Sequence, residues 1–310
     1  MLLIFLFIIY IVLFISGMSI MRIGLMNIAG EKMKEWLYRA TSSTWKGLIF
    51  GIIITIILQS SSAVMIIAIG LIAVKLLTFK QSIGIILGTN IGTTATIEFL
   101  AYSPDHFIVP LLILGSILIL IPKKKVRSSG LFMYGLGAIF LAMYGFERLA
   151  EPLSGLNILT KVFYEMNDHT SISILVGTIV TAIIQSSTAM TGIAMGFIQE
   201  NILSLSSAIA VMLGANIGTC FDAYIASIGG GKEAKLTAFA HVWLNVIGVL
   251  IFVPFVHLFA ELVGKLASEP VQQLAHASVI FNVAVSLLFL PIAKPFASFV
   301  KKIHSPFLKD

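Results

Sequence analysis

Charge is what this sequence has least of. Asp, Glu, Lys and Arg make up 11% of its 310 residues, where a soluble domain carries about 25%. That scarcity excludes an ordinary water-solvated surface. With 58% hydrophobic residues and a mean hydropathy of +1.03, lipid is the main solvent. The single cysteine, Cys220, excludes an intrachain disulfide, and no Cys/His cluster has the spacing of a metal site. The first apolar run, Leu2 to Ile15, has no basic stretch before it and continues well past the apolar core of a signal peptide, so a retained first helix is expected. The net charge of +6 would suggest nucleic acid in a soluble protein. Here it reads as loop residues that fix topology, and no nucleic-acid partner is expected.

What is there is a repeat. Gly51 to Ala63 reads GIIITIILQSSSA and Gly177 to Ala189 reads GTIVTAIIQSSTA, with eight of thirteen residues identical at an offset of 126. Gly88 to Thr94 (GTNIGTT) and Gly214 to Cys220 (GANIGTC) stand at the same offset. Each half therefore places G-x-N-I-G-T 29 residues after its glutamine. Repeats of this kind decide the fold.

The apolar segments run over 2–27, 48–74, 81–100, 107–122, 131–150, 172–198, 204–226, 236–260 and 274–300. Suppose 48–74 and 172–198 fold back as hairpins and the N-terminus is outside. Then 17 of the 20 Lys and Arg fall inside, among them Arg22, Lys32, Lys34, Arg39, Lys123–Arg127 and Lys309. Only Arg148, Lys161 and Lys265 fall outside, a stronger inside bias than straight crossings give. The expectation is an all-α integral membrane protein of two inverted-topology repeats, each with a re-entrant helical hairpin and a broken transmembrane helix. It has about seven full crossings plus two hairpins. The first repeat covers 1–127 (hairpin 48–74, broken helix 81–100). The second covers 128–260 (hairpin 172–198, broken helix 204–226). An additional C-terminal helix and basic tail occupy 261–310, with the C-terminus inside a cell (plasma) membrane. The stretch 151–171 reads as an irregular outer connection, and no soluble domain is expected after the last helix.

Non-helical backbone at membrane depth is tolerated only where protein or a water-filled cavity satisfies it. A hairpin tip at Gln59–Ser62 presents first-turn amides and serine hydroxyls, a combination suited to an anion. Inverted repeats bring Ser60–Ser62 and Ser186–Thr188 together near the midplane, where secondary transporters place their sites. The G-x-N-I-G-T stretches read as helix breaks whose oxygens suit a hard cation such as Na⁺. The core motifs hold no Lys, Arg, Asp or Glu, so an anion there needs a co-bound cation to compensate it.

These residues resemble the type II sodium–phosphate cotransporter family, including its short bacterial members. The resemblance covers most of residues 1–300. It implies a sodium-coupled symporter of inorganic phosphate working by alternating access, not an enzyme, with no cofactor beyond Na⁺ as coupling ion. By motif matching, Ser60, Ser61, Ser62, Ser186, Ser187 and Thr188 line the phosphate site, and Gln59 and Gln185 brace the hairpin tips. Thr89, Asn90, Thr93, Asn216 and Thr219 sit at the cation-binding breaks. Glu98, Asn245 and Asn282 are further candidates. No clear equivalent of the intramembrane aspartate used by some members is found. A homodimer is compatible with the sequence, though no single feature specifies it.

Bland readings compete. A lone Ser-Ser pair in a membrane helix usually packs or bonds to its own backbone. Gly51-x3-Thr55 and Gly177-x3-Thr181 read better as close helix packing. Glu98 has Tyr224 at the repeat offset, so it lies outside the duplicated set. Asp222 reads as interfacial. His241 with Asn245, and His276 with Asn282, read as interhelical hydrogen-bonding groups. Among functions, the alternatives are a sodium-coupled carrier of another oxyanion or a carboxylate, an anion channel, and an intramembrane serine hydrolase using Ser61 or Ser187 with His241. Duplication disfavours the last, because acyl transfer needs one nucleophile.

Overall fold

A computed structural model describes residues 1–29, 43–102 and 105–308. Lys32, Lys34, Arg39 and Lys309, which enter the charge argument, lie outside the described residues. Among those described there is no strand. The helices are α1 Leu2–Ala29, α2 Thr44–Leu58, α3 Ser61–Ala73, α4 Phe79–Leu100, α5 Ile108–Ile119, α6 Lys124–Ser154, α7 Asn157–Asp168 and α8 Thr170–Ile184. They continue with α9 Ser187–Gln199, α10 Leu205–Gly218, α11 Cys220–Ala226, α12 Gly231–Phe252, α13 Val256–Val263, α14 Pro270–Phe289 and α15 Ala293–His304.

Among the described residues, six helical stretches are long and apolar enough to cross a membrane: Leu2–Ile28, Phe79–Leu100, Lys124–Ser154, Leu205–Ala226, Gly231–Val263 and Pro270–Phe289. The segment expected at 107–122 falls short, because α5 has 12 residues and reaches only about 18 Å of a core roughly 30 Å thick. The segment expected at 274–300 divides at Pro291: α14 ends at Phe289 and α15 follows with Lys294, Lys301 and Lys302. A proline offers no N–H and its ring clashes with the preceding turn. The stretch 151–171 is not irregular, since α7 fills most of it.

Helix bounds recur at the repeat offset. Thr44–Leu58 matches Thr170–Ile184, Ser61–Ala73 matches Ser187–Gln199, and Phe79–Leu100 matches Leu205–Ala226. The segments 48–74 and 172–198 each consist of two short arms, of 15 and 13 residues, neither long enough alone to span the hydrocarbon.

The G-x-N-I-G-T stretches are not breaks of the kind expected. Gly88–Thr93 lies inside the continuous α4, and its counterpart interrupts only at Thr219, which itself keeps right-handed helical dihedrals. The glycines serve close approach instead. A Cβ on Gly84 or Gly88 would collide with the carbonyl oxygens of Thr44 and Leu48 on α2, and one on Gly92 would stand 2.6 Å from Thr55 Cβ. In the second half, Gly214 and Gly218 abut the carbonyls of Ile174 and Thr178 on α8. Gly51 answers from α2, where a Cβ would lie 2.8 Å from Ile85 O, and Gly177 answers from α8 against Val211. Where lipid removes the hydrophobic drive between helices, such backbone contact is the main source of packing energy. The reading of Gly51 and Gly177 as packing residues agrees with this geometry. Helices α1 and α6 meet the same way, with Gly17 against Gly135 O and Gly24 against Ser128 O.

Candidate functional site

Each pair of arms is joined by the same two-residue device. Gln59 (φ 49°, ψ 35°) ends α2 in the left-handed region, and Ser60, in extended backbone, caps α3 by accepting from the Ala63 amide at 3.1 Å. Gln185 (φ 54°, ψ 33°) and Ser186 repeat it, with Ser186 Oγ accepting from the Ala189 amide at 3.1 Å. A non-glycine residue in this conformation costs about 1–2 kcal/mol, so its presence at both tips marks a constrained geometry. Gln59 has side-chain support: its Nε2 donates to Ile56 O at 2.6 Å and its Oε1 accepts from Thr96 Oγ1 at 2.7 Å. Gln185 has no such side-chain bond, so the bracing expected at both tips is present at one.

The two tips meet. Gln59, Ser60, Ser61 and Ser62 share one cavity of about 510 Å³ with Gln185, Ser186, Ser187 and Thr188. Helices α3 and α9 therefore both begin at its wall. With the third amide of each taken by the serine cap, those of Ser61, Ser62, Ser187 and Thr188 have no intrahelical acceptor. Two helix N-termini thus bring positive potential and free donors to one space.

Thr93 and Thr219 also line this cavity, while Thr89, Asn90 and Asn216 do not. Thr89 Oγ1 donates to Ile86 O at 2.8 Å, and Asn216 Nδ2 to Met212 O at 2.9 Å. Asn90 Nδ2 donates across helices to Asn245 Oδ1 at 3.1 Å. Asn282 Nδ2 donates to Ser278 O at 2.9 Å. Glu98 pairs with His276 Nδ1 at 2.7 Å, joining α4 to α14. Asn245 and His276 are thus interhelical groups, as their sequence context suggests. His241 is buried with neither ring nitrogen bonded.

Two charged residues line the cavity that the motifs did not announce. Arg22, counted from sequence as a loop cation, lies in α1, makes no hydrogen bond with a described residue, and buries its Nε without a partner. Asp222, expected at an interface, is 9% exposed and faces the first tip. Its Oδ2 accepts from Ser62 Oγ at 2.5 Å. The signals were present: an arginine inside an apolar run, and an aspartate at the repeat offset from Thr96.

The model of the Na+/Pi-cotransporter family matches the chain twice, over residues 13–148 and 152–288. Among relatives, the chain is 42% identical to "Uncharacterized protein YqeW" of Bacillus subtilis (strain 168) over 271 residues, 87% of this chain and 88% of that one. It is 27% identical to "Putative inorganic phosphate export protein YjbB" of Escherichia coli (strain K12) over 271 residues, which is 50% of that protein. It is 29% identical to "Sodium-dependent phosphate transport protein 2B" of Homo sapiens over 85 residues, 27% of this chain and 12% of that one. No solved structure matches the chain.

Proposed function

The chain belongs to the Na+/Pi-cotransporter family, and from that premise we propose that it carries inorganic phosphate across a cell membrane together with Na⁺, by alternating access. The observation that carries this reading is the convergence of both duplicated tips on one cavity, with six hydroxyls from Ser60, Ser61, Ser62, Ser186, Ser187 and Thr188 around it. Phosphate offers several acceptor oxygens to the free first-turn amides and to these hydroxyls other than that of Ser62, whose hydrogen goes to Asp222. Arg22 adds a guanidinium, whose fork matches an oxyanion in two places.

Coupling to Na⁺ follows from charge. Among the described residues, the charged ones lining the cavity are Arg22 and Asp222, whose opposite charges offset each other. An entering phosphate leaves the site net negative in a poor dielectric, and a co-entering cation offsets that cost. Oxygen donors for a hard cation are at hand. Thr93 and Thr219 line the cavity, and Thr55 Oγ1 and Thr181 Oγ1, at equivalent places in the two halves, are buried with no hydrogen-bond partner.

The test is uptake of radiolabelled phosphate into proteoliposomes with and without an inward Na⁺ gradient, for wild type and Ser61→Ala. Saturable uptake that needs Na⁺ and is lost in the variant is expected. A second reading is outward phosphate movement, which the name of the Escherichia coli relative favours, in a form not coupled to Na⁺. It predicts phosphate efflux from loaded vesicles that is indifferent to Na⁺. Flux that rises linearly with phosphate and never saturates would make the protein a channel and end both readings.

A further inference from the structure

Hydroxyls and amides surrounding an oxyanion do not distinguish phosphate from sulfate, since both present tetrahedral acceptor oxygens. The element that can is a carboxylate. Asp222 lines the same cavity as the two tips, is 9% exposed, and bonds through Oδ2 to Ser62 Oγ at 2.5 Å. Its Oδ1 makes no hydrogen bond with a described residue. The equivalent position in the first half is Thr96, whose hydroxyl is taken by Gln59 Oε1 at 2.7 Å. The two tips therefore match in their Ser and Thr hydroxyls, while at this place a hydroxyl in one half corresponds to a carboxylate in the other.

A carboxylate accepts hydrogen bonds and donates none. At neutral pH phosphate still carries protons and sulfate carries none. Building on the phosphate reading above, we propose that Asp222 is the specificity-determining residue of the cavity, accepting the P–OH hydrogen of phosphate and excluding fully deprotonated oxyanions by lone-pair repulsion. Ser62 orients it by occupying one carboxylate oxygen, which leaves the other toward the cavity. Arg22 draws any oxyanion in, and Asp222 rejects those that bring no proton. A site built to accept a hydrogen bond rejects an analogue lacking the donor far more strongly than a difference in size would.

The experiment is competition against radiolabelled phosphate on the purified protein in Na⁺ buffer at neutral pH, with arsenate, which is protonated there, and with sulfate and selenate, which are not. Wild type should be displaced by arsenate and resist sulfate and selenate. In Asp222→Asn, whose amide can turn a donor toward the anion, sulfate should gain about ten- to a hundredfold relative to phosphate. Ser62→Ala, which frees Asp222 to turn, should bind phosphate more weakly and lose part of the discrimination against sulfate, and it serves as the second test if Asp222→Asn does not fold. Wild type that binds phosphate but admits sulfate equally would overturn the assignment while leaving the phosphate reading intact. So would unchanged discrimination in Asp222→Asn or in Ser62→Ala, or loss of both anions in a variant that melts like wild type. Wild type that binds no phosphate would defeat the phosphate reading, and this assignment with it.

Discussion

At the scale of single residues, Arg22 is the least expected component of the cavity. A guanidinium within an apolar helix is costly, and such residues face a partner or a water-filled space; here the space is the cavity between the tips. Arg22→Gln should weaken phosphate binding by about ten- to a hundredfold, measured by equilibrium binding, with the melting temperature little changed because no hydrogen bond to a described residue is lost. The two tip glutamines give a paired prediction. Gln185→Gly removes left-handed strain and no side-chain bond, and should lie between neutral and about 1 kcal/mol stabilising. Gln59→Gly also removes the bond to Thr96, and should be less stable than Gln185→Gly by about 1 kcal/mol, read from thermal unfolding in detergent. The serines and threonine of the tips were legible in the sequence because polar residues repeated at fixed spacing stand out against apolar surroundings. Arg22 was not, because an arginine near the end of an apolar run reads as a loop cation even with Arg148 at the repeat offset, and Asp222 was not, because Thr96 stands in its place in the first half. Repetition cannot reveal what is not repeated, and the carboxylate at the position of Thr96 appears only when the halves are compared for their differences.

At the scale of the element, the segments read as 48–74 and 172–198 fall in the helix pairs Thr44–Leu58 with Ser61–Ala73 and Thr170–Ile184 with Ser187–Gln199, and the helix breaks expected in G-x-N-I-G-T are not there. Glycine has two uses in a membrane helix, loosening it or letting a neighbour approach, and spacing does not separate them. The i, i+4 succession of Gly84, Gly88 and Gly92 toward α2 settles the matter in favour of approach. Gly214→Ala should therefore destabilise by about 1–3 kcal/mol through collision with Ile174 O. Gly70→Ala, where a Cβ would meet nothing within 4 Å, should be neutral or up to about 1 kcal/mol stabilising; thermal melts of the two variants decide it. Helix α15 carries a pH-dependent contact. His304 Nε2 accepts from Trp243 Nε1 at 2.9 Å and its ring stacks on Phe239 at 3.9 Å. Burial holds the His304 imidazole below its ordinary value. The folded protein favours the neutral ring, so the contact is complete above the unfolded histidine value, about 6.5, and is lost as pH falls through the lower folded value. Tryptophan emission should change over that acidic range in wild type and stay flat in His304→Gln.

At the scale of the whole molecule, the all-helical membrane architecture was legible from composition alone. The number of crossings was not, because apolar length does not reveal where a segment such as α5 stops short. With seven crossings, the charge distribution predicts the N-terminus outside and the Lys123–Arg127 run and the C-terminus inside, whereas six crossings would put both termini on one face. Cysteines introduced at Leu2 and at Ser305 should be labelled by an impermeant maleimide only from the outside and only from the inside respectively. The native Cys220 is buried and should remain silent. Equal access to both from one face would refute that orientation. The glycine contacts have a mechanical consequence as well. Two helices whose backbones touch at successive turns cannot slide by a fraction of a turn without carbonyl meeting carbon. Helix α2 with α4, and α8 with α10, are therefore stiff two-rod levers. Any stroke that opens one side of the molecule and shuts the other must swing these levers whole, with the yielding joints placed outside them.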